Sequence, residues 1–229
     1  GASVFLNKDP SSEEIIGDID KGVVCVFKAL RDEPKEFLTR IKRTRYTERA
    51  FKMAQNRSES EFDDYIDQAV NEYVLRRMSR GGLKKAFAWS DRERGGKPGD
   101  VNAWETMIDQ LPSIAERVKN TTILNKNFIE VFKVCDEENT LFYLDPPYLH
   151  STRTEGSTDL YENEMTVEDH INMLHLAKNA RGKVIISGYA SPLYNRNLEG
   201  WKCRKKNVAN HSSQSKTKKR RVECIWINF

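Results

Sequence analysis

The chain predicts an α/β fold, a parallel sheet interrupted by a helical insertion. Two short, continuously apolar segments at 141–144 and 184–186 flank a helix pattern at 166–180, and strand–helix–strand at this spacing indicates parallel pairing. Between about 35 and 118 the composition shifts to long, charged, helix-forming stretches with little strand signal. Bulk composition agrees with a globular chain: 229 residues, 38% apolar and 31% charged, with 10 Phe, 8 Tyr and 4 Trp, too many aromatics for disorder. No stretch nears the ~20 consecutive apolar residues of a membrane-spanning helix.

Taken in order, Gly1-Ala2-Ser3 before Val4-Phe5-Leu6 read as the end of a Gly-rich loop entering a helix. A natural domain seldom begins there, so a preceding segment is expected to be absent. Residues 11–19 read as a capped, partly apolar strand around Gly17-Asp18, followed by a short helix carrying Val23, Val24, Phe27 and Leu30. The clearest helix is 60–78, with Phe62, Tyr65, Ile66, Ala69, Val70, Tyr73, Val74 and Met78 at three- and four-residue steps. Ser60-Glu61-Phe62-Asp63 supplies its capping box, Arg76, Arg77 and Arg80 suit its end, and Gly81-Gly82 stop it. The stretch 91–100 reads as a polar loop, and 103–119 as a helix that Pro112 breaks or kinks. Residues 121–124 form a short β-branched strand. The run 141–144 suits a parallel strand covered on both faces. Thr166-Val167-Glu168-Asp169 caps the next helix and Gly182 stops it, before the strand 184–186 and the turn Ser187-Gly188-Tyr189. A last strand spans 222–229.

Several classes of function drop out. Cys25, Cys135, Cys203 and Cys224 are far apart with no C-x-x-C pair, which argues against a zinc site or a disulfide framework. No signal peptide opens the chain, so a reducing cytoplasm is the expected compartment. The four histidines form no ligand cluster, and His170 and His175 read as helix-face residues; no metal is expected.

The sharpest chemical signal is Asp145-Pro146-Pro147-Tyr148, directly after the strand 141–144. Ligands of open α/β sheets bind outside the carboxyl ends of strands. At that edge Asp145 and the Pro146 carbonyl can accept hydrogen bonds from an exocyclic amine. The two prolines stiffen the loop, and Tyr148 offers a π-face for stacking. A flat, amine-bearing ring fits this set.

These motifs, in this order, resemble the Dam-like DNA adenine-N6 methyltransferases. Gly1-Ala2-Ser3-Val4-Phe5-Leu6-Asn7 resembles the tail of that family's Gly-rich cofactor motif, and Glu14-Ile15-Ile16-Gly17-Asp18-Ile19-Asp20 its acidic second motif. Asn125-Lys126-Asn127-Phe128 resembles the third, Asp145–Tyr148 the catalytic motif, and 183–189 and 221–229 its later strands. The resemblance spans nearly the whole chain. It implies a Rossmann-like, S-adenosylmethionine-dependent methyltransferase core (1–34 and 119–229) and a mostly helical target-recognition insertion (35–118). Asp18 would hold the cofactor ribose, Asn127 and Phe128 would lie beside its adenine, and Gly1, Ala2 and Asp145 would complete the cofactor contacts. Asn127 departs from the family's usual Asp. The acceptor would be an adenine flipped out of double-stranded DNA, its N6 held by Asp145 and the Pro146 carbonyl and its ring stacked on Tyr148.

Net charge is only +4, so DNA binding would rest on clusters. Lys202, Arg204, Lys205, Lys206, Lys216, Lys218, Lys219, Arg220 and Arg221 form one, Arg76, Arg77, Arg80, Lys84 and Lys85 beside Phe87 and Trp89 a second, and Arg40, Lys42, Arg43 and Arg45 a third. Arg76 to Lys85 and the loop 91–100 are the expected base readers. A monomer is expected, and a restriction endonuclease cognate to the same site is a partner the resemblance allows. Four alternatives stay open: cytosine N4, RNA adenine or protein glutamine as acceptor, and a catalytically incomplete DNA-binding remnant. In the family the first strand is central, and its loss would leave unpaired edges on its neighbours.

Overall fold

The computed structural model of the chain describes residues 2–152, 164–209 and 220–229. The chain divides into two compact units, Gly1–Lys126 and Asn127–Phe229, each described by itself.

The first unit opens with a short helix α1 (Ser3–Asn7) entered through Ala2, which adopts a left-handed φ of 58°. Strand β1 (Ile15–Asp18) follows, shorter than the expected 11–19. Then come α2 (Lys21–Asp32), α3 (Pro34–Arg43), α4 (Glu48–Gln55) and α5 (Tyr65–Met78). Helix α5 starts later than its expected cap. The capping box belongs to Ser58 and Glu61 over a 3-10 turn, and Asp64 caps the helix itself by accepting the Asp67 N–H at 2.6 Å. The expected loop 91–100 is instead a hairpin of β2 (Glu93–Arg94) and β3 (Lys97–Pro98) leading into α6 (Gly99–Val118). Gly95 and Gly96 have φ of 62° and 75°, the double positive-φ turn that matches strand twist. Pro112 does not break α6. Its ring removes one backbone donor, but Trp104, Ile108, Leu111, Ala115 and Val118 are buried on both sides of it, and packing prevails. Strand β4 (Thr122–Asn125) closes the unit by pairing in parallel with β1, Ile15 opposite Thr122 and Asp18 opposite Asn125.

One apolar core serves all the longer helices here: Ala29 and Leu30 of α2, Phe37 and Ile41 of α3, Phe51 of α4, Tyr73 and Met78 of α5, and Trp104 and Leu111 of α6. The β1–β4 pair is pinned beside it. Arg117 of α6 grips the Glu14 carboxylate with two nitrogens, donates to the Phe5 carbonyl at 2.8 Å and lies 4.1 Å over the Phe5 ring. Lys8 reaches the same carboxylate.

The second unit begins with α7 (Phe128–Cys135), β5 (Leu141–Leu144), α8 (Val167–Asn179) and β6 (Lys183–Tyr189). Helix α9 (Pro192–Asn197) and strands β7 (Lys202–Ala209) and β8 (Arg220–Ile227) complete it. The sheet order is β5-β6-β8-β7, with β5 parallel to β6 and the rest antiparallel. Strand β5 is an edge, and it is covered on one face, not two: Phe142 stacks on Phe132 at 4.3 Å, whereas Leu141 and Tyr143 are 53% and 38% exposed. His170 sits on the inner face of α8, buried, with Nδ1 2.8 Å from the Tyr194 hydroxyl. The four cysteines are free thiols, and no described helix is long and apolar enough to cross a membrane.

Arg117 holds the Glu14 carboxyl at about 2, below its ordinary 4.5. A depressed acid stabilises the fold fully above its unfolded value and loses that contribution as pH falls through the folded one. Thermal melts from about pH 6 to about pH 2.5 are therefore expected to fall less steeply for Glu14→Gln than for the parent.

Candidate active site

Asp145 follows β5 directly, at the carboxyl end of the strand. The β5–β6 register puts Leu144 opposite Ile186, so Ser187, the next residue on β6, reaches across. Its hydroxyl lies 2.6 Å from Asp145 Oδ1 and 3.2 Å from the Leu144 carbonyl. A hydroxyl has one proton, and the shorter bond, made to a charged acceptor, takes it. Ser187 is buried and Asp145 exposed, so the fold holds one carboxylate oxygen from below. Oδ2 makes no hydrogen bond among the described residues.

Tyr148 is fixed from both ends. Its hydroxyl donates to Glu223 Oε1 at 3.0 Å, and its ring lies 4.4 Å from that of Tyr189, tilted by 47°. Glu223 on β8 stands opposite Tyr189 on β6, so cross-strand register assembles this set. Burial, then the Glu223 carboxylate, push the phenol well above its ordinary pKa, and it remains a proton donor. Leu149 is buried just behind, anchoring the loop that Pro146 and Pro147 stiffen.

In the first unit Asp18 ends β1. Its Oδ1 accepts the Asp20 N–H at 2.9 Å, and Asn125 Nδ2 donates to the carbonyls of Asp18 and Ile19 at 3.1 and 3.0 Å. Burial raises the Asp18 pKa, opposed by the Asp20 N–H. Asn127 and Phe128, in the second unit, open α7. The Asn127 side chain accepts the Glu130 N–H at 2.9 Å and Glu130 returns the bond, a capping box. Ala2 occupies the left-handed turn before α1, while Gly1 lies outside the described residues.

Several cations of the sequence clusters have acidic partners within the fold. Arg76 is not a spare charge: its guanidinium binds Asp20 Oδ2 at 2.6 Å and the Glu72 carboxylate. Lys84 binds Glu72 at 3.1 Å. Both ion pairs compensate the buried Glu72 carboxylate. Arg40 is likewise engaged, with Asp64 and Glu36. Arg77, Arg80 and Lys85 have exposed side chains on and after α5. The segment carrying Arg80 and Lys85 is well built: a bridge joins Ser79 to Phe87, Tyr46 donates to the Ala88 carbonyl at 2.7 Å, and Phe87 stacks under Trp89, which is 47% exposed. Lys202, Arg204, Lys205 and Lys206 are exposed on β7. Lys216, Lys218 and Lys219 lie outside the described residues, and Arg220 opens β8. Among the described residues no group of three His, Cys, Asp or Glu could hold a metal.

Residues 1–219 match the family described as D12 class N6 adenine-specific DNA methyltransferase. The chain belongs to that family. DNA adenine methylases of two Vibrio cholerae serotype O1 strains (ATCC 39541 and ATCC 39315) are each 23% identical to it over 194 residues, covering 82% of this chain and 69% of the relative. As a D12-class methyltransferase it carries three polar residues that sequence reasoning passed over: Ser187, Glu223 and Asn125. Glu223 had a signal, being the one acid in the terminal strand. Ser187 and Asn125 stand inside segments that the sequence singles out, but only cross-strand register shows what they meet. Ser187→Ala frees Asp145 Oδ1 to rotate, and small misplacements of reacting groups cost up to about 100-fold in rate. Steady-state methylation by Ser187→Ala is expected to show kcat lowered about tenfold, with the KM for DNA little changed.

Proposed function

We propose that the chain transfers the methyl group of S-adenosylmethionine to adenine N6 in a specific double-stranded DNA sequence, with the base flipped into the Asp145-Pro146-Pro147-Tyr148 site of a Rossmann-like core. The observation that carries this is exposed Asp145 at the carboxyl end of β5, with one carboxylate oxygen held by Ser187 and no hydrogen bond to the other among the described residues. Adenine N6 is a poor nucleophile because its lone pair is delocalised into the ring. Asp145 Oδ2 and the Pro146 carbonyl accept its two hydrogens, favour a pyramidal nitrogen and leave the lone pair free to attack in line. Tyr148, held by Glu223 and Tyr189, supports the ring. S-adenosylmethionine supplies an electrophilic methyl on a sulfonium. The nitrogen–methyl bond forms as the sulfur–methyl bond breaks, and N6 then sheds a proton to solvent through Asp145. Positioning and electrostatics provide the acceleration, with no covalent enzyme intermediate.

For the cofactor, the residues fit. Asp18 offers a half-buried carboxylate at a strand end with one oxygen already committed to the Asp20 N–H, suited to accept from the ribose hydroxyls. Asn127 spends its oxygen on capping, which leaves Nδ2 to donate to the adenine, with Phe128 beside it. Gly1, Ala2 and Asp145 complete the assigned contacts. We assign recognition to 35–118, with Arg77, Arg80, Lys85 and the β2–β3 hairpin toward DNA, and further phosphate contacts to Lys216, Lys218, Lys219 and Arg220. The protein acts as a monomer, and an endonuclease cognate to the same sequence fits as a partner.

Nucleoside analysis of DNA incubated with the chain and S-adenosylmethionine is expected to yield N6-methyladenine, with none above background for Asp145→Ala. N4-methylcytosine as the product, or undiminished transfer by Asp145→Ala, sinks the assignment. In salt titrations of DNA binding, Arg80→Ala and Lys85→Ala are each expected to lower the slope by about 1.

A further inference from the structure

The turn that carries Asp18 is clamped by side chains of the helical region. Asp20 divides its carboxylate: Oδ1 accepts the Val23 N–H at 3.1 Å and caps α2, while Oδ2 takes Arg76 Nη2 at 2.6 Å. Arg76 rises from the last turn of α5 and also binds Glu72 one turn earlier. Glu72 is 8% exposed at its side chain and receives Lys84 Nζ, itself 14% exposed, from the segment after α5. Two acids and two bases thus meet in a part-buried cluster, with Glu72 and Lys84 covered and Arg76 35% exposed at its side chain. Two further features show that the sequence is built around this cluster. A Cβ at Gly22 would lie 2.6 Å from Glu72 Cδ, so the glycine lets the carboxylate pack directly on the first turn of α2, and any side chain there would push Glu72 aside. Lys84 holds a left-handed φ of 61°, a conformation unfavourable for a non-glycine residue.

We propose that Arg76 is a positioning residue for cofactor binding: through Asp20 it fixes the backbone N–H that holds the Asp18 carboxylate, and it makes no phosphate contact of its own. This rests on the cofactor role assigned to Asp18 above. Hydrogen bonds run unbroken from Glu72 through Arg76 and Asp20 to Asp18. Releasing Oδ2 lets the Asp18–Asp20 turn rotate, and the cost falls on the affinity for S-adenosylmethionine, not on that for DNA.

The test measures KM for S-adenosylmethionine, KM for duplex DNA, kcat and the salt slope of DNA binding for the full chain and for Asp18→Ala, Asp20→Asn, Arg76→Met and Arg76→Lys, alongside melting curves. Asp20→Asn is the mild variant, because Asn still caps α2 while the ion pair is weakened. Expected are a rise of about tenfold in the S-adenosylmethionine KM for Asp20→Asn and Arg76→Met, partial recovery in Arg76→Lys, and DNA constants within about twofold of the parent. The Asp20→Asn/Arg76→Met double variant is expected to be no worse than Arg76→Met. An Arg76→Met variant with a weaker DNA KM, a slope lower by about 1 and unchanged S-adenosylmethionine KM makes Arg76 a phosphate contact and overturns the proposal. A lowered melting temperature with all kinetic constants unchanged leaves a purely structural ion pair and overturns it too. If Asp18→Ala weakens S-adenosylmethionine while Asp20→Asn and Arg76→Met do not, the clamp alone fails. If Asp18→Ala itself changes nothing, the cofactor role of Asp18 fails and takes the clamp with it.

Discussion

The first unit depends on two short parallel strands finding each other across the length of the helical region. Asn125 and Asp18 stand side by side although 107 positions separate them in the chain. Loop closure of that size is tolerable, since each doubling of length adds only about 0.6 kcal/mol. The difficulty is registration: two four-residue strands offer few backbone bonds with which to fix their own alignment. The structure solves this from outside the strands. Arg117 ties the end of α6 to Glu14 and Phe5 on the β1 side, and Arg31 of α2 donates to the Thr121 carbonyl at 2.9 Å on the β4 side. The helices fold around one core, and that core delivers the strand ends. It follows that the helical region is not an appendage to the sheet. It is what makes the β1–β4 pairing possible, and with it the position of Asp18.

The same economy governs charge. A chain that is 31% charged with a net charge of +4 looks like a source of free cations, yet many are consumed in place. Arg57 grips Asp67, Arg40 grips Asp64, and Arg76 and Lys84 share Glu72. A pair as open to solvent as Arg40 and Asp64 contributes little to stability. Around Glu72 the logic is different, because removing one partner would strand a buried charge. Sequence clustering cannot distinguish a cation awaiting phosphate from one whose acid lies dozens of residues away. Arg76 and Asp20 are 56 positions apart.

This sets what was legible. Elements with a strong local period were readable: α5 from its apolar stripe, α8 from its capping box, β5 and β6 from their unbroken apolar runs. The motif at Asp145 was readable because its residues are contiguous. Where two local signals competed, the choice went wrong. Ser58 and Ser60 both stand three residues before an acid, and the box formed at Ser58, leaving Asp64 to start α5. Gly95-Gly96 carries a hairpin signal that the surrounding polarity masked. Pro112 obeyed its local rule only until packing outweighed one lost backbone bond. Wholly illegible were contacts made by strand register, such as Ser187 to Asp145 and Glu223 to Tyr148, since register is decided by pairing across the chain.

A common device links the acids of both units. Asp18, Asp20 and Asp145 each commit one carboxylate oxygen to a hydrogen bond within the fold: the Asp20 N–H, the Val23 N–H and the Ser187 hydroxyl. A carboxylate held at one oxygen keeps its orientation, so its second oxygen can be aimed without further ordering cost when something binds. In Asp20 the second oxygen is already taken by Arg76, and the residue serves geometry. In Asp18 and Asp145 it is left for the ribose and the N6 amine of the proposed reaction. Three aspartates in one chain thus occupy different roles for one physical reason, the destination of the second oxygen.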